Sequence, residues 1–190
     1  MASLEVKNTS IQDALLIESI LREDPRGFFC RAYCKSELAQ VGLKEDFVQC
    51  NYSHNPKVNT LRGLHIQKRP HSEGKLIRCV KGSVYDVIID IRENSSTFKN
   101  IYGVILDANK QNSLYAPPGT LHGFMTLEED SSVYYMVTEQ YYPASEISVN
   151  PMANDINWPS QNPIMSGKDI KGLDLEEAIK EFERQLQNAV

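Results

Sequence analysis

The chain lacks what would place it in a membrane, on nucleic acid or outside the cell. No apolar run reaches the ~18 residues needed to span a bilayer. Basic residues are in the minority, 20 Lys and Arg against 25 Asp and Glu. A net charge of −5 disfavours nucleic-acid binding through a basic surface while allowing a local basic pocket. The start, MASLEVKNTSIQDALLIESILRED, brings acids early and no basic stretch ahead of an apolar one, so no secretory signal is expected. The protein therefore reads as soluble and cytoplasmic. Cysteine is sparse: Cys30, Cys34, Cys50 and Cys79 are scattered, no pair has a two-residue gap, and no second Cys/His cluster completes a zinc site. Reduced, mostly buried structural thiols are expected. With no internal repeat and no low-complexity linker, residues 1–190 read as one domain, long enough to bury a sizeable core.

What is present is mostly strand. Gly82–Arg92 (GSVYDVIIDIR), Tyr102–Asp107 (YGVILD) and Ser131–Tyr142 (SSVYYMVTEQYY) are β-branched and aromatic runs. Turn signals punctuate them: VKGS, RENSS, DANKQN and APPGT. Period two puts Asp86 and Asp90 on one face, with Arg92 joining them. Short strands at close spacing predict a mainly-β sandwich or barrel. Helix is expected only at the edges. One short helix fits Cys34–Gly42, with Ser36 as start and Gly42 as stop. A C-terminal helical tail fits 173–190, where Leu175, Ala178, Ile179 and Phe182 form one stripe over Leu173–Leu186, packed on the barrel or on a second subunit.

The segment Thr60–Arg92 gathers Arg62, His65, Arg69, His71, Lys75 and Arg78 beside apolar strands. Cations in such a place need an anion, from the protein or from a substrate. Alternation puts His65 and Gln67 on one strand face, and APPGTLHGF adds His122. A barrel that turns this many polar groups inward lines a pocket. Metal-binding barrels of the cupin type show His-x-His and a nearby Glu; here the triplet is His65-Ile66-Gln67, so no metal and no cofactor is expected.

The stretches DPRGFFCRAY, FVQCNYSHN, LRGLHIQ, KLIRCVKGSVYDVIIDIR, LYAPPGTLHGF, VYYMVTEQYYP, INWP and MSGKD, in this order between Asp24 and Leu175, resemble the dTDP-4-dehydrorhamnose 3,5-epimerase family. The resemblance implies a metal-free cupin, a jelly-roll β-barrel with short peripheral helices. It also implies a homodimer whose N-terminal strands reach across to the partner, and epimerisation of a nucleotide-diphosphate 4-keto-6-deoxy sugar on the way to deoxysugars. In that frame His65 is the base, Asp169 its orienting carboxylate, Lys75 the stabiliser of the enolate oxygen and Tyr135 the acid. Tyr134 is one residue off and faces the other way in a strand. The diphosphate would meet Arg62, Arg26 (from either subunit) and Arg78, with Gln49 and Asn51 adding neutral hydrogen bonds. Phe29, His122 and Tyr141 complete the expected substrate contacts, with His122 lining the site rather than moving the proton. Arg78 has a second reading, a salt bridge to Asp86 or Asp90. His54 and His71 read as loop or rim residues.

Two departures bear on the substrate. Members that use thymidine read RGxFxE, whereas this chain has Arg26-Gly27-Phe28-Phe29-Cys30-Arg31. A donor at Arg31 suits a base edge presenting acceptors, which favours a CDP- or GDP-linked sugar; in the other reading Arg31 turns to solvent or a phosphate. Upstream of INWP the chain reads ISVNPMAND, a change near the Asp169 segment that leaves open inversion at C3, at C5 or at both. A non-catalytic sugar-nucleotide-binding cupin, or a ketoisomerase or dehydratase, are the alternatives to an epimerase.

Overall fold

The computed structural model describes residues 3–184. Alternating and β-branched runs form β1 (Leu4–Asn8), β2 (Leu15–Ser19), β3 (Arg22–Asp24), β4 (Gly27–Phe29), β5 (Gln49–Asn55), β6 (Leu61–Gln67) and β7 (Lys75–Lys81). They continue as β8 (Ser83–Asp90), β9 (Ile101–Asp107), β10 (Asn112–Ala116), β11 (Thr120–Thr126), β12 (Ser131–Val137) and β13 (Glu146–Ser148). A six-stranded sheet in the order β1-β2-β10-β7-β12-β5 faces a five-stranded sheet in the order β13-β6-β11-β8-β9, and β3 and β4 form a separate hairpin. All strand pairings are antiparallel. Two such sheets packed face to face make the jelly-roll barrel that the resemblance implies.

Period two sorts the side chains into three apolar layers. Ile77 and Cys79 of β7, Val84 and Ile88 of β8, Phe124 of β11 and Val133 of β12 meet between the sheets and plug one end of the barrel. Leu64 and Ile66 of β6, with Val87 and Ile89 of β8, point the other way and are covered by Ile147, Trp158 and α3 (Leu175–Glu183). Leu15, Ile17, Leu76 and Tyr115 on the outer side of the six-stranded sheet are covered by α1 (Lys35–Gln40) through Leu38. Burying such side chains contributes about 25 cal/mol per Å² of apolar surface, which is what holds the segment 147–182 on the sheet.

Three expectations shift in detail. The first helix starts at Lys35 with Cys34 as its N-cap, so Ser36 lies inside it; Gly42, at φ +94°, still ends it. The last helix starts at Leu175 because Asp174 and Glu177 form a capping box, and it packs on its own barrel through Ala178, Ile179 and Phe182. Its expected extension through Leu186 lies outside the described residues. Only Cys79 is buried; Cys30 and Cys34 are half-buried, and Cys50 is exposed on the edge strand β5.

One irregularity positions the site. His65 lies opposite His122 and Arg62 opposite Phe124, so β6 spends three steps where β11 spends two. This bulge brings Arg62 and His65, which strict alternation would turn to opposite faces, into the same cavity. It depends on Gly63, whose φ is +108° and whose Cβ, if present, would stand 2.6 Å from the His122 carbonyl oxygen. Gly63→Ala should therefore lower stability by about 2 kcal/mol or more, measured by urea unfolding. Gly167→Ala, where nothing lies within 4 Å, should stay within about 0.5 kcal/mol of wild type.

Candidate active site

A cavity of about 910 Å³ opens between the sheets at the end away from the apolar plug. The five-stranded sheet supplies Arg62, His65 and Gln67 from β6 and His122 from β11. The six-stranded sheet supplies Gln49 and Asn51 from β5, Lys75 from β7 and Tyr135 from β12. Tyr141, Glu146 and the segment 164–169 form the mouth. Nine of the thirteen residues singled out above thus converge: His65, Asp169, Lys75, Tyr135, Gln49, Asn51, Arg62, His122 and Tyr141. Among the described residues no three His, Cys, Asp or Glu side chains converge as a metal ion would require.

The strongest local geometry is that of His65 and Asp169. Nε2 of His65 lies 2.7 Å from Oδ1 of Asp169. Asp169 sits in α2 (Gly167–Ile170), a single turn whose N-cap, Ser166, accepts a hydrogen bond from the Asp169 amide. The turn is tethered from behind, because Nδ2 of Asn150 donates to the Ile170 carbonyl at 3.1 Å. Burial opposes ionisation of Asp169, but the hydrogen bond and charge of His65, with help from Ser166, outweigh it and hold its carboxyl below the ordinary range. With Asp169 ionised, Nε2 carries the shared proton, and Nδ1 keeps the lone pair that a base needs.

Lys75 crosses the cavity from the opposite sheet. Its Nζ donates to the His65 carbonyl at 3.2 Å and lies 3.1 Å from Oε1 of Glu73. Deeper in, Nε2 of His122 meets both carboxylate oxygens of Asp86, at 3.0 and 2.9 Å. Asp86 is fully buried, which pushes its carboxyl above the ordinary range, while His122 and Lys75 pull against that. Tyr135 faces the cavity, and Tyr134 faces away from it towards Cys50. The Tyr135 phenol is raised by burial, then by the charges of Glu73 and Glu146, with Arg62 opposing. Arg62 gives Nε to Oδ1 of Asn55 at 2.7 Å, which fixes the plane of its guanidinium at the wall. Gln49 and Asn51 are joined at 3.0 Å, and Tyr141 donates its hydroxyl to Glu146 at 2.8 Å.

The other four residues lie elsewhere. Arg78 is buried on the outer side of β7, where it bonds Ser113, Gln111, Ser19 and the Ala32 carbonyl. It meets neither the cavity nor Asp86 or Asp90, because three steps along a strand separate it from Lys75. Asp90 is instead held by Arg92, as the shared face predicts. Arg26 pairs with Asp24 in the exposed hairpin, and Phe29 beside it is 67% exposed. Arg31 gives Nη1 to Glu37 at 2.9 Å and to Ser3 at 3.2 Å, so its donor fork is partly engaged. Sequence reasoning missed Glu73 and Glu146 as cavity groups and Asp86 as the partner of His122. The parity of Asp86 was the available signal; Glu73 precedes its strand and has no periodicity to betray it.

The sequence profile of the family described as dTDP-4-dehydrorhamnose 3,5-epimerase matches residues 8–177. The chain belongs to that family. It is therefore an epimerase, an isomerase that acts on sugar nucleotides. The Salmonella typhimurium member is 42% identical over 178 residues, covering 92% of this chain and 97% of that one. The Escherichia coli member is 37% identical, covering 93% and 97%. A Bacillus anthracis crystal structure with TDP and PPi bound superposes with a TM-score of 0.87 at 41% identity, covering 90% of this chain and 99% of that one. A Legionella pneumophila 3,5-epimerase in complex with dTDP-4-keto-L-rhamnose gives 0.86 at 33%, covering 91% and 93%. The cupin-type jelly roll of the family is the fold described above.

Because the folded Asp169 carboxyl is depressed below 3.8, its contribution to stability is present above that pH and is lost as pH falls through the folded value. Asp169→Asn should accordingly destabilise the protein at pH 7. The gap in urea midpoint between wild type and variant should shrink on acidification through that window.

Proposed function

We propose that the chain works as one epimerase domain that inverts C3 and C5 of a dTDP-linked 4-keto-6-deoxy sugar, with His65 as base and Tyr135 as acid. The observation that carries this reading is that the two groups stand on opposite sheets of one cavity, β6 on one side and β12 on the other. Inversion needs a proton removed from one face of the ring and returned to the other. Nδ1 of His65 takes the proton from the carbon beside the C4 ketone, and the C–H electrons move into an enolate whose negative charge rests on O4. The Lys75 ammonium meets that oxygen. The Tyr135 phenol then protonates the carbon from the far side; the phenolate is re-protonated and the imidazolium releases its proton to solvent. Asp169 stabilises the imidazolium in between. Since C3 and C5 both flank the same ketone, one set of groups serves both once the ring is re-seated.

Arg62, Gln49 and Asn51 offer the diphosphate a cation and neutral donors at the cavity wall. Arg31 gives Nη1 to Glu37 and Ser3, and relatives of the same fold hold TDP and dTDP-4-keto-L-rhamnose, which supports a thymine nucleotide over cytosine or guanine. Arg26, Phe28 and Phe29 sit on a hairpin with 50% and 67% of the two phenylalanines exposed, which supports a homodimer in which this hairpin packs against a second copy. Among the described residues no helix is long and apolar enough to cross a membrane, and the four cysteines are free, in keeping with a cytoplasmic enzyme.

Proton NMR in deuterated water tests the chemistry with dTDP-, CDP- and GDP-linked 4-keto-6-deoxy sugars in parallel. Washout at C3 and C5, fastest with dTDP, is expected; washout at one carbon would make it a single-centre enzyme, and none would leave a binding protein. His65→Asn should keep nucleotide binding and lose about 10²–10⁴ in exchange rate. Sedimentation should give a dimer, and Phe29→Asp should weaken it; a monomeric wild type would overturn that assembly.

A further inference from the structure

Lys75 does not lie free in the cavity. Its side chain is 9% exposed, that of Glu73 is 10% exposed, and Oε1 of Glu73 is 3.1 Å from the ammonium. The other carboxylate oxygen, Oε2, accepts from Nε2 of Gln67 at 2.8 Å. Gln67 is itself fixed: the same nitrogen reaches the Gln140 carbonyl at 3.0 Å, and its oxygen accepts from the Tyr142 amide at 2.6 Å. The backbone beside Glu73 is clamped as well. The Gly74 amide donates to Oγ1 of Thr138 at 2.8 Å, and the Thr138 amide donates back to the Gly74 carbonyl at 3.0 Å. Glu73 is therefore held from both ends, by a side-chain lock and a backbone lock, with one oxygen turned to the ammonium.

That arrangement does more than balance a charge. Lys75 has three N–H donors. One goes to Glu73 and one to the His65 carbonyl, which leaves one donor of this cavity-lining ammonium uncommitted. Tyr135, on the neighbouring strand, lies beside Lys75: Val137 of β12 pairs with Lys75, and Tyr135 two residues earlier shares its face. We propose that Glu73 is a positioning residue for the reaction, aiming the Lys75 ammonium at the developing enolate oxygen and keeping a fixed negative charge beside the Tyr135 phenol. This rests on the roles of Lys75 and Tyr135 given above. The direction of the Tyr135 shift agrees, since after burial the charge of Glu73 is the largest influence that keeps the phenol protonated. The other charged or titratable groups that line the cavity with that phenol are Tyr52 and His54 from β5, Arg62 and His65 from β6, Lys75 from β7, His122 from β11, Glu146 from β13, and Tyr141, Lys168 and Asp169 at the mouth. Of these, Arg62 opposes Glu73 and Glu146 reinforces it.

Glu73→Gln is nearly isosteric and keeps an oxygen for Gln67 or Lys75, so it isolates the charge. Relative to wild type, kcat should fall about tenfold with KM within about twofold, the mark of an interaction made in the transition state. The basic limb of the kcat profile should move to lower pH, because the phenol loses the charge that resists its ionisation. Glu73→Asp should restore part of both. A readout independent of turnover is the phenolate absorbance of Tyr135, obtained as the difference between each protein and its Tyr135→Phe counterpart during alkaline titration. It should appear at lower pH in Glu73→Gln than in wild type. An unchanged titration, or a variant with wild-type kcat and pH profile, would overturn the proposal. If wild type turned over no sugar nucleotide, the epimerase reading would fall while the titration still judged Glu73.

Discussion

The contact between His65 and Asp169 organises more of this molecule than its length suggests. At 2.7 Å it joins β6, an interior strand of the five-stranded sheet, to a single helical turn more than a hundred residues later. The turn is capped by Ser166 and held at its end by Asn150, the chain before it is tied through Ile164 to Asn59 and Leu61, and the burial of Ile147 and Trp158 keeps the surrounding segment on the sheet. The strand side depends on the bulge at Gly63, which sets the phase of His65. The whole outer layer of the five-stranded sheet can thus be read as scaffolding that delivers one carboxylate to one imidazole.

The cavity is a place of paired polar and charged groups. Lys75 has Glu73 beside it and Asp86 deeper in, His65 has Asp169, His122 has Asp86, and Glu146 is met by Lys168 and Tyr141. Breaking a buried pair by removing one member leaves an uncompensated charge, a penalty of several kcal/mol. Such pairing makes the pocket polar without making it unstable. Arg62 is tied to neutral Asn55 and, among the described residues, meets no carboxylate, so its charge is open to an anionic substrate.

Much of this was legible from residue types and spacing. The β-branched runs gave the strands, the turn residues gave their ends, and the cluster of basic groups near His65 pointed to a pocket. Composition groups Arg78 with the other basic residues, but parity separates it: Lys75 and Arg78, three apart, cannot face the same side of a regular strand. Arg62 and His65 are also three apart and do share a face, because a glycine bulge intervenes. No pattern in the chain announces which of the two cases applies until Gly63 is seen against Gly123. Glu73 escaped notice because it lies in a loop and acquires meaning only from Gln67 and Lys75, brought to it by folding.

The distribution of the site over strands carries an implication for how this sequence can change. The proposed base, oxyanion group and acid come from β6, β7 and β12, each held in register by neighbours on both sides. A one-residue insertion in any of them would turn its functional side chain into an apolar layer and an apolar one into the cavity. Insertions and deletions are thereby barred from these strands and confined to the loops that join them. Lineages descending from such a chain would keep the proton transfer almost unaltered while drifting in which sugar they admit.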